Sequence, residues 1–311
     1  MSTPLTLDEV VAIDIHTHVH GSACDGEHRI DPSMEKFYEY FGAEAVIPTV
    51  DTVAEYYRER KMMAVTFTVD SETVTGKPPV PSNEEIAELA ANHSDVLIPF
   101  GTVDPHLGMA AVRRVERMVE LGMKGFKFHP NAQAFFPNDR RFYPIYEAIE
   151  AAGVPALFHT GHTGVGANQH GGNGIRLKYS NPIHLDDVAV DFPDLTIIGA
   201  HPAFPWQDEA ISVALHKPNF YIDLSGWSPK YFSDNLVRYS NSLLRTKVLF
   251  GSDYPMITPD KWMADFDLVG FKDEVKPLIF KENAMRVLGL TRPDDDPPND
   301  TTHDTTQEHT S

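Results

Sequence analysis

The sequence predicts an α/β fold, a (β/α)8 TIM barrel, on three observations. Eight short, β-prone apolar runs alternate with helical patterns between Ile13 and Leu290, the order that parallel strands with right-handed crossovers produce. At 311 residues the chain is long enough for two ordinary domains or for one closed ring of eight such units. No Gly-x-Gly-x-x-Gly follows the first strand, so an open doubly wound sheet, the structural rival, lacks the turn that marks its dinucleotide site.

Strand one is Ile13-Asp14-Ile15-His16-Thr17-His18. Ile13 and Ile15 take one face, while His16 and His18, two apart, share a face from which both reach a common point. Residues 19–50, with the aromatic cluster Phe37, Tyr38, Tyr40 and Phe41, are too irregular for one helix and read as an excursion above that strand. Asp51 is the expected N-cap of a helix over 51–61, and 62–69 is strand two, ending at Asp70. Ser82 and Glu85 form the pattern of a capping box that opens a helix to His93, and 96–103 is strand three, stopped by Asp104-Pro105. An amphipathic helix over 107–121 leads to strand four at 123–128, which ends at His129-Pro130. A helix over 139–152, closed by Gly153, leads to strand five at 154–158, which ends at His159.

After a Gly-rich loop over 161–182, a helix at 183–191 precedes strand six at 195–200, which ends at His201-Pro202. A helix at 206–216 then precedes strand seven at 220–224, leading into Ser225-Gly226. A helix at 229–241 precedes strand eight at 247–250, followed by Gly251-Ser252-Asp253-Tyr254-Pro255, and helices from Lys261 to Leu290 finish the barrel. The barrel domain is thus 1–290. Residues 291–311, rich in Asp, Thr and Pro with almost no apolar side chains, are expected to form an acidic disordered tail.

Composition narrows the partners. Hydrophobic residues at 41% and charged residues at 23% suit an ordinary globular protein. Asp and Glu number 45 against 26 Lys and Arg, and a formal charge of −19 repels phosphate backbones and anionic headgroups, which argues against nucleic acid and membrane surfaces. Cys24 is the sole cysteine, so an intrachain disulfide is excluded. The first ten residues have no basic stretch followed by a secretory apolar run, and no window reaches membrane-spanning length, so a cytoplasmic location is the expectation.

An isolated His-x-His is weak evidence in a chain with 15 histidines. Its weight changes in a barrel, where all strands point their C-terminal ends at one rim and active sites form there. The polar residues closing the strands are His16 and His18 after strand one, Lys127 and His129 after four, His159 after five, His201 after six and Asp253 after eight. Imidazole is the commonest protein ligand for zinc, and a carboxylate completes such sites. Each member also has a plain alternative: His159 as a hydrogen-bonded rim histidine, Asp253 as a turn former before Tyr254-Pro255, His201 as a turn residue before Pro202.

In these segments the chain resembles the amidohydrolase superfamily, and more narrowly the amidohydrolase-related group containing aminocarboxymuconate semialdehyde decarboxylase and γ-resorcylate decarboxylase. The likeness runs from Val11 to Leu290 and is carried by the first-strand Asp-Ile-His-Thr-His, Gly125-Phe126-Lys127-Phe128-His129-Pro130, Phe158-His159-Thr160-Gly161, Ala200-His201-Pro202, the run from Leu249 to Pro255, and Glu282-Asn283-Ala284. The resemblance implies that His16, His18, His159 and Asp253 hold one divalent metal, with zinc the expected ion, and that His201 stands beside it. It also implies Asp253 and His201 as the catalytic pair. Three neutral imidazoles and a carboxylate leave a net positive site, and a bound metal can lower the pKa of its water to about 7. Two-metal relatives carbamylate a strand-four lysine. The plainer reading is that Lys127 supplies a fixed positive charge and His129 caps the strand.

In the long loop, Arg176 is the first choice to contact an anionic substrate and Lys178 the second; Trp206, within Pro202-Ala203-Phe204-Pro205-Trp206, offers an apolar wall for a ring. Lys127 and His129 join them as candidate substrate contacts. The implied reaction is hydrolysis of a small carbonyl compound from aromatic or ring-cleavage catabolism, of lactone or β-ketoacyl type, through a metal-activated water. Non-oxidative decarboxylation of an aromatic or muconate-type carboxylate is the alternative, and a non-catalytic binding barrel the third reading. The turn after strand six departs from the glycine-rich turn of the decarboxylases, which favours hydrolysis. The implied partner is a small anionic or aromatic substrate, and dimers among relatives imply a homodimer.

Overall fold

The eight apolar runs all form strands: β1 Ala12–His18, β2 Met62–Phe67, β3 Leu97–Pro99 with its continuation Gly101–Thr102, β4 Phe126–Phe128, β5 Ala156–His159, β6 Ile197–Ala200, β7 Phe220–Asp223 and β8 Val248–Leu249. They belong to a computed structural model that describes residues 4–23, 35–36, 38–39, 42 and 46–291. Neighbouring strands pair in parallel and in sequence order. Phe100 interrupts β3, but hydrogen bonds from Phe100 N to Thr66 O (3.0 Å) and Gly101 N to Gly125 O (2.8 Å) carry the sheet across the break. Between β8 and β1 the ring is closed by Ile15 N to Phe250 O (3.1 Å), Asp253 N to His16 O (3.0 Å) and His18 N to Tyr254 O (2.8 Å). The architecture is the predicted (β/α)8 barrel.

Alternation along the strands sorts the apolar side chains into two layers. Ile13, Ile15, Val65, Phe67, Ile98, Leu157, Ile198 and Leu249 fill the barrel. Ala12, Ala64, Phe126, Phe128, Ala156, Phe158, Phe220 and Val248 face the surrounding helices. The helices cover that outer layer; Trp262, fully buried on the helix Pro259–Phe266, stacks on Phe266 and donates from Nε1 to Leu224 O at 3.2 Å.

β1 departs from simple alternation. Asp14 pairs with Ala64 and Thr17 with Thr66, so three steps on β1 match two on β2, which is a β-bulge. With Ala12 outside and Ile15 inside, strict alternation would send His16 outward. The extra residue turns it toward the interior instead, and bulges commonly re-aim a side chain in this way.

Several helix ends differ from expectation. Thr49, not Asp51, caps the helix Val50–Glu59, because Thr49 and Thr52 satisfy each other's backbone N–H groups while Asp51 sits in the first turn. Ser82 caps the helix Asn83–Ala91 as predicted, but Glu85 does not close a capping box: its carboxylate accepts from Ser22 Oγ (2.7 Å) and Ala23 N (2.6 Å). The patterns over 139–152 and 229–241 each begin as a 3-10 turn, and the α-helices start at Tyr143 and at Asp234, the latter capped by Ser233. Phe37, Tyr40, Phe41 and Cys24, and the predicted tail beyond Thr291, lie outside the described residues. Among the described residues no helix is long and apolar enough to cross a membrane.

The closure is locked by Asp14, which is fully buried. Its Oδ1 accepts from Ser252 N and His16 N, both at 3.0 Å, and its Oδ2 from Tyr57 OH at 2.7 Å and Ser252 Oγ at 2.5 Å. Burial lifts its pKa to about 6, and the four donors oppose that rise. Asp14→Ala strands at least two backbone N–H groups, at about 1–3 kcal/mol each, so a loss of about 3 kcal/mol or more is expected as a lower urea midpoint. A loss under about 1 kcal/mol would contradict the lock.

Candidate metal centre

Because β1 and β8 are neighbours in the ring, the bulged end of β1 delivers His16 and His18 to the turn that follows β8. Asp253 Oδ1 lies 3.3 Å from His16 Nε2 and 3.1 Å from His18 Nε2. One ligand atom from each of the three residues falls within 4.8 Å of the other two. Phe67, at the end of β2, forms the floor, with its ring 5.1 Å from that of His16 and 4.9 Å from that of His18. Asp253 (φ 71°) and His201 (φ 72°) both occupy the left-handed region that non-glycine residues avoid, and such backbone strain concentrates at functional sites.

His16 is held from behind. Its Nδ1 lies 2.7 Å from Asp223 Oδ2, at the end of β7, which orients the ring and directs Nε2 toward Asp253. Ser225 Oγ touches His16 Nδ1 and His201 Nδ1, each at 3.0 Å, and donates to Asp223 Oδ2 at 2.9 Å. On the open side, Lys127 Nζ lies 3.1 Å from His16 Nε2. His159 stands one ring further: its Nδ1 is 3.0 Å from His201 Nε2, and its ring stacks on His129 at 4.0 Å and 7°. Three of the four predicted ligands therefore converge, and His159 lies outside that group.

Burial sets the protonation of the cluster. It holds the imidazole of His16 well below its ordinary pKa, with Lys127 and the neighbouring histidines acting in the same direction. His129 and His159 are depressed for the same first cause, and His201 falls to about 4. Burial also pushes the Lys127 ammonium down and the Asp223 carboxyl up. Asp253 is the exception: burial would raise it, but the hydrogen bond to His18 and the charges of His201, His18 and Lys127 outweigh burial and leave it at about 2.

The donor set suits a divalent ion. Neutral imidazoles offer lone pairs, the Asp253 carboxylate offers charge, and His159 Nε2 is buried without a hydrogen-bond partner among the described residues. Among the described residues, His16, His18 and Asp253 are the ones whose ligand atoms converge closely enough to hold such an ion.

The predicted substrate contacts are placed less centrally. Arg176 and Lys178 are exposed: Arg176 Nη1 reaches Gly174 O at 3.4 Å while its carbonyl accepts from Asn131 Nδ2 at 3.1 Å, and Lys178 lies over the rings of Phe136 and Tyr179. Trp206 begins the helix Gln207–His216, while Phe204 meets Trp227 at 5.3 Å. Lys127 and His129 are buried in the cluster, and His129 Nδ1 accepts from Ala132 N, capping the turn Pro130–Gln133. Sequence reasoning missed Asp223 and Ser225; the available signal was an acid and a hydroxyl at the end of an otherwise apolar seventh strand.

Two glycines make room for this arrangement. A Cβ on Gly251 would lie 2.4 Å from Asp223 Oδ1 and 3.1 Å from His16 Cβ, and one on Gly226 (φ 73°) would lie 2.4 Å from His201 Nδ1. Gly251→Ala is expected to cost about 1–3 kcal/mol by overpacking. Gly270→Ala, where a Cβ meets open space, should stay within about 0.5 kcal/mol. Urea denaturation of both variants checks this, and equal midpoints would mean that the site has slack.

The fold is shared with known proteins. An uncharacterised TIM-barrel protein from Bordetella bronchiseptica superposes with a TM-score of 0.72 at 24% identity, over 89% of this chain and 98% of that one. A dihydroxybenzoic acid decarboxylase from Polaromonas sp. JS666, solved with bound manganese and 2-nitroresorcinol, gives 0.64 at 17% identity, over 92% and 98%. A probable 2-pyrone-4,6-dicarboxylic acid hydrolase from Acinetobacter baumannii gives 0.58 at 14% identity, over 90% and 99%. At these identities the likeness is one of fold. Protein fluG of Emericella nidulans is 30% identical over 108 residues, a match that takes in 33% of this chain and 12% of fluG. The amidohydrolase family model matches residues 13–290, the whole barrel, and the chain belongs to the amidohydrolase family.

Proposed function

We propose that the protein is a metal-dependent hydrolase of a small carbonyl substrate, of lactone or β-ketoacyl type, with one divalent ion held by His16, His18, His159 and Asp253. The imidazole-rich donor set favours zinc, with manganese, the ion in the Polaromonas decarboxylase, as the competing assignment. An ion there would supply Lewis-acid polarisation of the carbonyl and acidify a water.

The observation that carries hydrolysis is the placement of Asp253, whose Oδ1 lies 3.1 Å from His18 Nε2 and 3.3 Å from His16 Nε2, so that a carboxylate stands beside the imidazoles as a proton acceptor for a water held there. His201, neutral above about 4, also offers a lone pair more readily than a proton. Lys127 supplies a donor next to His16, and Phe67 shields the floor from water. Decarboxylation remains the second reading because it needs a proton donor to carbon, and Lys127 is the buried group available for that role. Arg176 and Lys178 fit an anionic substrate only if the loop 161–182 folds over the rim when substrate binds.

Purified protein loaded with zinc or manganese should retain about one ion per chain, and His16→Ala and His18→Ala should each lose it. Asp223→Asn should weaken retention by about 10–100-fold, the usual effect of removing a partner that orients a ligand. A panel of a lactone, a β-ketoacyl thioester and hydroxybenzoates separates the reactions. Acid release without carbon dioxide supports hydrolysis, stoichiometric carbon dioxide from a hydroxybenzoate replaces it with decarboxylation, and a wild type that retains no ion removes both.

A further inference from the structure

The turn after β4, Pro130–Gln133, is fastened to its neighbours. Gln133 is fully buried; its Nε2 donates to Asp70 O at 2.7 Å and Val103 O at 2.9 Å, beyond the ends of β2 and β3, and its Oε1 accepts from His129 N at 2.8 Å. Asn131, also buried, reaches away from this post. Its Nδ2 donates at 3.1 Å to Arg176 O, in the long loop that leaves β5. The same carbonyl accepts from Tyr179 N at 3.5 Å and opens the 3-10 turn Leu177–Ser180.

At Arg176 the loop changes character. Residues 177–182 are held on the barrel by Tyr179 edge-on to Phe136 at 4.6 Å, His184 Nε2 donating to Lys178 O at 3.0 Å, and Gly161 N donating to Ser180 O at 2.7 Å. Residues 166–175 bond within the loop instead: Gln169 N to Gly166 O at 3.2 Å, Gly172 N to Gln169 O at 2.9 Å and Ile175 N to Gly172 O at 3.0 Å. Among the described residues, no hydrogen bond ties 166–175 to the barrel. Gly171, Gly172, Asn173 and Gly174 take left-handed angles in succession (φ 59°, 60°, 51° and 81°), a turn that glycine and asparagine allow. The result is a small, self-bonded tip on a fixed base.

We propose that Asn131 is a positioning residue that sets the hinge of this loop at Arg176, so that the tip 166–175 moves alone and the Arg176 backbone stays at the rim. Coming from the tip, the Asn131 amide is the first tie to the barrel. Without it the next is Tyr179 on Phe136, so the movable stretch takes in Arg176 and Leu177, and the 3-10 turn loses the anchor on its first carbonyl. Folding of the loop over the rim is then a movement of the tip, and Arg176 reaches an anion by turning its side chain. That Arg176 contacts an anionic group of the substrate rests on the proposed function; the hinge does not.

The test is hydrogen–deuterium exchange of the full chain, read by mass spectrometry on peptides across 164–182. In the wild type, exchange should be fast within 166–175 and slower within 177–180. Asn131→Ala should speed exchange of 177–180 by about fivefold, the shift in a local opening equilibrium that one hydrogen bond accounts for, and leave 166–175 as it was. Asn131→Asp, which keeps the shape but offers the carbonyl no N–H, should match the alanine variant; if packing alone mattered, it would match the wild type. Zinc retained per chain should not change in either variant. On any carboxylate-bearing lactone or thioester that the wild type hydrolyses, both variants should raise KM about fivefold with kcat held. A wild-type tip as protected as 177–180, or exchange of 177–180 unchanged in the variants, overturns the proposal. The wild-type pattern can overturn it even if neither variant folds. The expected exchange with an unchanged KM would remove Arg176 as a substrate contact, and the expected exchange in a protein that hydrolyses none of the panel would remove the hydrolase reading; both leave the hinge standing.

Discussion

Closure of the barrel is the constraint on which the site depends. His18 and Asp253 are separated by 235 positions, and they meet because β8 hydrogen-bonds to β1 and not to an open edge. Asp14 fastens that seam from outside the barrel, and the bulge two residues later turns His16 inward across it. The same stretch of β1 therefore carries the structural lock and the chemistry. A backbone that must both close a ring and present two imidazoles needs the extra residue, since plain alternation serves only one of these ends.

Within the seam, electrostatics follow from burial. Imidazoles taken out of water lose their protons readily, and the cluster becomes a set of lone pairs facing one firmly ionised carboxylate. Lys127 is drawn toward its neutral form by the same burial, although Asp253 and Asp223 pull the other way. Basic nitrogens and an anionic oxygen in a dry pocket form an arrangement that costs free energy when left alone and gains from a cation. The hydrogen-bonded layer behind it, Asp223 and Ser225, gives the rings fixed orientations, so that the donors would not reorganise around the proposed ion.

Much of this was legible from residues. Strand ends in a parallel barrel share one rim, so His16, His18, His159, His201 and Asp253 could be gathered on paper without knowing any distance. What stayed hidden was set by tertiary contacts. The bulge leaves no mark in Ile13-Asp14-Ile15-His16, because the extra residue shows only against β2. Asp223 looked like the polar end of an apolar strand, and its role depends on β7 lying next to β8. Thr49 displaced Asp51 as a cap because Thr52 returned the hydrogen bond, and Glu85 left its capping box because Ser22 and Ala23 offered it donors from a distant segment. Arg176 and Lys178 were chosen by charge alone, which does not report where a long loop sends its side chains.

On the proposed reading, residues from the first strand and from the turn after the last jointly hold one ion. X-ray absorption at the metal edge, with anomalous diffraction from crystals of the zinc- or manganese-loaded protein, tests it most directly. One ion is expected between β1 and β8, bound through nitrogens of His16 and His18 and an oxygen of Asp253. An ion held elsewhere, or a shell without Asp253, would contradict it.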